Sequence, residues 1–238
     1  MPVENAKPNA SNLEQLLYDL TRQADGSSAD RAEMATRFDY LRRFGRLPRG
    51  RENRAARLSN HHIGYAILGL GAHRAAWAGQ VAIGLGNLKP VGGPTASVEG
   101  ATSLLDAIAL LLADERLRQN LISIAFSSAE SGTNAHGTAV IKLRTPQGDQ
   151  TISFVPATAL SLFQRGAELT YDREGQFAPV ARVLTLYRKF FNTVALSVRL
   201  RIGFAHQRGR DSHFLCGHVR RGAGWPRLSG ARSAIRVT

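Results

Sequence analysis

In Leu121-Ile-Ser-Ile-Ala-Phe126 the apolar residues Ile122, Ile124 and Phe126 fall at every second position. That is the period of a strand whose side chains alternate between two faces. Ile141 and Leu143 repeat the pattern in Ala139-Val-Ile-Lys-Leu143, and Ile152 and Phe154 repeat it in Thr151-Ile-Ser-Phe154. Pro146-Gln147-Gly148-Asp149 supplies a turn between the last two runs. Strands are therefore expected at 121–127, 138–145 and 151–155, joined as a three-stranded antiparallel meander. Both flanks of the meander return to helical spacing. Leu104, Leu105, Ile108, Leu111 and Leu112 lie on one face of a helix from about Thr102, and Val180, Val183, Leu184, Tyr187, Phe191 and Val194 on one face of a helix near 178–196. Helices segregated around a small antiparallel sheet make this part of the chain α+β.

Further upstream the pattern is purely helical. Ser11 and Glu14 have the spacing of a capping box, and Leu13, Leu16, Leu17 and Leu20 follow at helical intervals up to Asp25-Gly26-Ser27-Ser28. A second helix is expected from Asp30 to Phe44, with Met34, Phe38 and Leu41 inward and Thr36, Asp39, Tyr40 and Arg43 outward. Gly45 suits its C-terminal cap and Pro48 stops it. Residues 46–57 carry too many arginines to bury and read as an exposed loop or short wing. Ser59 then caps a third helix, with Leu58 and Ile63 placed as a hydrophobic staple and Ile63, Ala66, Ile67 and Leu70 as its stripe. Trp77, Val81 and Leu85 extend a helical stripe. The Gly/Pro-rich run 86–100 is the expected domain boundary. The fold class is thus α+β: a helical, winged-helix-like head over 11–85, an α+β domain for dimerisation or ligand binding over 100–197, and a basic, disordered tail over 198–238.

The charge is unevenly placed. The chain carries 31 Lys and Arg against 18 Asp and Glu, a net +13. Residues 31–57 hold nine arginines against three acids, and residues 199–238 hold nine arginines against one. A field of that sign favours polyanions such as nucleic acid or an acidic membrane surface. Cys216 is the one cysteine, which excludes an internal disulfide framework. The N-terminal residues have no basic patch followed by an apolar run, and no apolar stretch approaches the roughly 18 residues that span a bilayer. A cytoplasmic protein with no membrane partner is the expectation.

One stretch gives the charge a shape. Arg37-Phe-Asp-Tyr-Leu-Arg-Arg-Phe-Gly-Arg-Leu-Pro-Arg-Gly-Arg51 is followed by Arg57-Leu-Ser-Asn-His-His-Ile63: a helix ending in Phe-Gly-x-Leu-Pro, a basic loop, then a newly capped helix. Over residues 28–70 this order resembles the helix, wing and helix of MerR-type winged-helix regulators and of the small winged helix-turn-helix heads of bacterial and prophage regulators. It departs from them in that the preceding helix, 13–23, is set off by a polar Gly-Ser stretch. The resemblance implies groove contacts from Thr36, Tyr40 and Arg43, with the loop arginines on the phosphates. Independently of it, Arg42, Arg43, Arg46, Arg49, Arg51, Arg54 and Arg57 put seven cations in sixteen residues against one acid, Glu52. Phosphate contacts supply most non-specific affinity, and the guanidinium fork suits phosphate and guanine. The expected function is sequence-selective binding of double-stranded DNA in transcription regulation, as a homodimer, with room for a small-molecule effector, without cofactor or metal, and not as an enzyme. The homodimer contact is expected from the open sheet edges and from Phe190 beside Phe191.

Two other readings compete. Glu130, Ser131 and His136, in the polar run 127–136, are the residue types of a hydrolytic set, which makes an enzyme the first alternative, although no G-x-S-x-G surrounds Ser131; a mobile-element interaction module is the second. His206, His213, Cys216 and His218 lack a standard zinc spacing, and Gly69-Leu-Gly71 and Gly84-Leu-Gly86 do not continue to a nucleotide-binding loop. The arginine-rich tail reads equally as a nucleic-acid arm, an unstructured end or an out-of-frame translation.

Overall fold

The period-two runs do form the sheet, and it is larger than the meander. The computed structural model of the protein describes residues 9–25, 30–49, 57–131, 134–163, 181–207 and 235–237. Strands β1 (Lys89–Pro90), β2 (Leu121–Ser131), β3 (Asn134–Thr145), β4 (Gly148–Val155), β5 (Ala181–Tyr187) and β6 (Ile235–Val237) stand in the order β1-β4-β3-β2-β5-β6, every neighbour antiparallel. Register explains the core face. Ile124 stands opposite Ile141 and Leu186, Phe126 opposite Ala139 and Leu184, and Ile152 opposite Ile141. All of these are buried.

Three local expectations are corrected. The register shifts between Leu121 and Ser123, and across this irregularity Leu121 is buried while Ile122 is only half-buried; a bulge resets which residues face the core. The described residues of the polar run 127–136 are strand and not loop, because β2 and β3 continue as a ladder that pairs Ala129 with His136 and Ser131 with Asn134. The helix expected from 178 begins only at Arg188, because Ala181–Tyr187 is a strand. Its Leu184 and Leu186 take core positions at the strand period that Val183, Thr185 and Tyr187 interleave.

The helices among the described residues are α1 (Ala10–Asp25), α2 (Arg31–Arg43), α3 (Asn60–Gly69), α4 (Ala78–Gly86), α5 (Leu104–Ala113), α6 (Glu115–Asn120), the short α7 (Leu160–Phe163) and α8 (Arg188–Gln207), and all but α7 place residues in or against one hydrophobic core. The cap of α1 is Asn9, whose Oδ1 accepts from the Asn12 N–H at 2.9 Å, rather than Ser11. After α3 the chain touches the sheet directly. A Cβ at Gly71 would stand 2.7 Å from the Phe126 ring, and Ser128 Oγ donates to the Gly71 carbonyl at 2.5 Å. Glycine is required there by close approach.

The boundary expected at 86–100 gives way to continuity. Leu88 and Val98 from that stretch lie in one hydrophobic cluster that runs from Leu13 to Val194. The helices α3 and α4 pack against α5, and α4 against the sheet. Phe190 and Phe191, expected to offer surface to a partner, are both fully buried and meet edge to face at 5.5 Å. The expected tail is also shorter than 198–238: α8 continues to Gln207, and Ile235–Val237 joins the sheet.

Candidate nucleic-acid interface

The geometry of α2 is set by its ends. Asp30 caps it, accepting from the Ala32 N–H at 2.9 Å; Glu33 sits in its first turn and Arg42 and Arg43 in its last, the arrangement that suits the helix macrodipole. Gly45 takes φ +68°, a left-handed conformation open to glycine. The Arg46 N–H then bonds back to the Leu41 carbonyl at 2.8 Å, and the chain turns toward α4. There Gly79 has no room for a Cβ, because the Phe44 ring and the Tyr40 carbonyl occupy its place.

With Met34, Phe38 and Leu41 buried, Thr36, Tyr40 and Arg43 fall on the opposite side at i, i+4 and i+7, one face of a helix. Thr36 and Arg43 are exposed and Tyr40 is half-buried. The Thr36 hydroxyl donates to the Ala32 carbonyl at 2.8 Å. The Arg43 guanidinium stacks over the Tyr40 ring at 4.9 Å. Arg46 stacks over Tyr65 of α3 at 5.2 Å; its Nε donates to the Phe44 carbonyl at 3.1 Å and its Nη1 to the Tyr65 hydroxyl at 3.2 Å. Arg49 and Arg57 are exposed. Arg51 and Arg54 lie outside the described residues, as does most of the loop expected as a wing. Among the described residues of 11–85 there is no strand.

Three arginines of α2 belong to the fold. Arg42 pairs with Asp39 at 2.8 Å and with Glu14 of α1 at 3.5 Å, and Arg31 donates to Gln15 at 2.9 Å, so both brace α1 against α2. Arg37 is buried at 6% exposure. Its Nη1 donates to the Gly69 and Ala72 carbonyls at 3.2 and 2.8 Å, and its Nη2 to Glu33 at 2.5 Å. It thereby satisfies carbonyls that the end of α3 leaves over. Arg118 acts similarly at the end of α5, donating to the Leu111 and Leu112 carbonyls at 3.0 and 2.9 Å. A signal for Arg37 existed, since it sits between Phe38 and Met34 on the buried stripe. Tyr65, the platform for Arg46, carried none.

The start of α3 closes this region. Ser59 Oγ accepts from the His62 N–H at 3.2 Å, and His62 Nδ1 accepts from the Ser59 N–H at 3.1 Å. Burial, reinforced by the neighbouring His61, holds the His62 imidazole below its ordinary pKa. His61 Nε2 lies 3.3 Å from Asp106 Oδ1, and Thr102 Oγ1 donates to Asp106 Oδ2 at 2.6 Å. Burial pushes the Asp106 carboxyl up, but hydrogen bonds from Thr102, Ser103 and His61 outweigh it and leave the group below its ordinary value.

The remaining candidate residues lie elsewhere in the chain. Glu130, Ser131 and His136 lie on the β2–β3 ladder. His213, Cys216 and His218 lie outside the described residues. Among the described residues no three His, Cys, Asp or Glu side chains gather as a metal site, and no helix is long and apolar enough to cross a membrane. Compared with known proteins, the chain matches no family model, no curated protein and no solved structure.

Proposed function

We propose that this chain is a sequence-selective DNA-binding protein acting in transcription regulation, with the Thr36–Tyr40–Arg43 face of α2 as its groove-facing surface and Arg46 and Arg49 on the flanking phosphates. The observation that carries the reading is the co-facing of those three residues on a helix whose other side is locked in the core, with a cationic chain continuing from its end. A rigid helix presenting polar and guanidinium groups is what base-edge readout requires. The Arg43–Tyr40 and Arg46–Tyr65 stacks favour it further, because a guanidinium held flat on a ring loses less freedom when its N–H edge meets phosphate. Arg42, neutralised by two carboxylates, is left out of the contact set. Pairing of two chains on a near-palindromic site would supply the contacts that one short helix lacks.

The test is fluorescence anisotropy on duplexes recovered by selection from random DNA, at several salt concentrations. Replacing Arg43, Arg46 and Arg49 with Ala is expected to flatten the dependence of log K on log salt by about 0.9 for each lost phosphate contact. Unchanged affinity and slope, or recovery of no preferred sequence by the unmodified chain, would overturn the proposal.

A further inference from the structure

Strand β5 is central to the core, and a short strand remote in sequence lies along its outer edge. On its inner side it pairs with β2 along its whole length, from Ala181 opposite Ala129 to Tyr187 opposite Ser123. On its outer side, among the described residues, Leu184, Thr185 and Leu186 are paired, opposite Val237, Arg236 and Ile235. Leu184 and Leu186 are buried and Val183, Thr185 and Tyr187 half-buried. The N–H and C=O groups along the edge of an apolar strand are a ready template for another strand. Here the chain's own Ile-Arg-Val segment covers it and also lies near α1.

We infer that the outer edge of β5 is a strand-accepting site, and that its second occupant is residues 235–237 of another copy of this chain. The donor is remote from the rest of the sheet in sequence: residues 208–234 separate it from the end of α8. A stretch of that length reaches up to roughly 90 Å when extended, so a chain long enough to return to its own β5 is long enough to reach a neighbour's. The ladder contacts are the same in either case. What distinguishes the two states is concentration, since a tethered strand competes at an effective concentration on the order of millimolar. Exchange of an identical element is a low-cost route to a dimer, and strand addition takes its affinity from main-chain bonds. A second copy is preferred over an unrelated peptide because its segment is already matched to this edge. The net charge of +13 opposes the encounter, so salt is expected to promote exchange. This inference stands apart from the DNA-binding proposal, and either can fail without the other.

Thr185 and Arg236 are direct register partners, and opposite residues of an antiparallel pair lie within disulfide reach. The experiment uses full-length chains carrying Cys216→Ser. One preparation carries Thr185→Cys, a second, tagged one carries Arg236→Cys, and a third carries both changes. After mixing equal amounts and mild oxidation, the two single variants are expected to give a mixed disulfide dimer well beyond the twofold excess over either same-variant dimer that random collision produces, rising with protein concentration and with salt. The double variant reports whether the pairing forms within one chain. If it closes while the mixture gives no excess of mixed dimer, the strand stays in its own chain and the inference is overturned. If neither preparation cross-links, the 185–236 pairing itself is absent and the inference is overturned as well.

Discussion

Replacing Arg37 with Met separates the arginine that builds the fold from those proposed to meet DNA. The substitution keeps most of the side-chain volume and removes the guanidinium. Its two bonds to the Gly69 and Ala72 carbonyls are lost in a buried place, and a hydrogen bond from a charged donor is worth about 1.5–3 kcal/mol. The Gly69 carbonyl also accepts from the Ala72 N–H at 3.3 Å, which moderates its share. Glu33, 48% exposed, returns to water easily, so its lost ion pair adds little. A loss of about 3 kcal/mol is expected, equivalent to a fall in Tm of roughly 6–12 °C for a chain of this size. Urea titration followed by circular dichroism measures the first quantity and a thermal scan the second. The salt slope of DNA binding, taken well below the new Tm, should not change, because a buried guanidinium contacts no phosphate. A stability loss under about 1 kcal/mol would refute the structural role, and a flattened slope would refute the division of labour among the arginines.

Gly79→Ala should destabilise by about 1–2 kcal/mol: overpacking against Phe44 and the Tyr40 carbonyl costs about 1–3, and the better helix propensity of Ala returns part of it. Relief of that loss by Phe44→Leu in the same chain would verify the contact, and full additivity of the two changes would refute it. Because folding holds His62 below its ordinary 6.5, the unfolded chain takes that proton first, and stability falls as pH drops from about that value toward the lowered one; His62→Gln should flatten this window in denaturation curves taken across it. Asp106, also held low, contributes stability above its ordinary 3.8 that is lost as pH falls through the lowered value; Asp106→Asn should remove that acid limb, and an unaltered limb would show that the Thr102 and His61 contacts do not form.

How far the sequence reached depended on whether a signal was local. The helix start at Asp30, the turn at Gly45 and the Ser59 cap were legible because each is decided within a few residues by side-chain chemistry or by glycine's access to positive φ. The strands at 121–155 were legible because alternation is a local period, and the outward face of Thr36, Tyr40 and Arg43 followed from the inward stripe of Met34, Phe38 and Leu41. Residues 181–187 were not legible as a strand: Val183, Leu184 and Tyr187 satisfy helical spacing, while Leu184 and Leu186 satisfy strand spacing, and only the free edge of β2 chose between them. Position 122 was misjudged because the register shift depends on how β2 meets β3. The continuity of the core across 86–100 was hidden for the same reason, since Gly and Pro mark where a chain bends and not what its neighbours bury. Among the arginines, charge count treated Arg37, Arg42 and Arg43 alike. The third lies on the Tyr40 ring of its own helix, a local contact, but tertiary structure alone sent the first to the carbonyls at the end of α3 and the second to Glu14, because those partners come from distant segments.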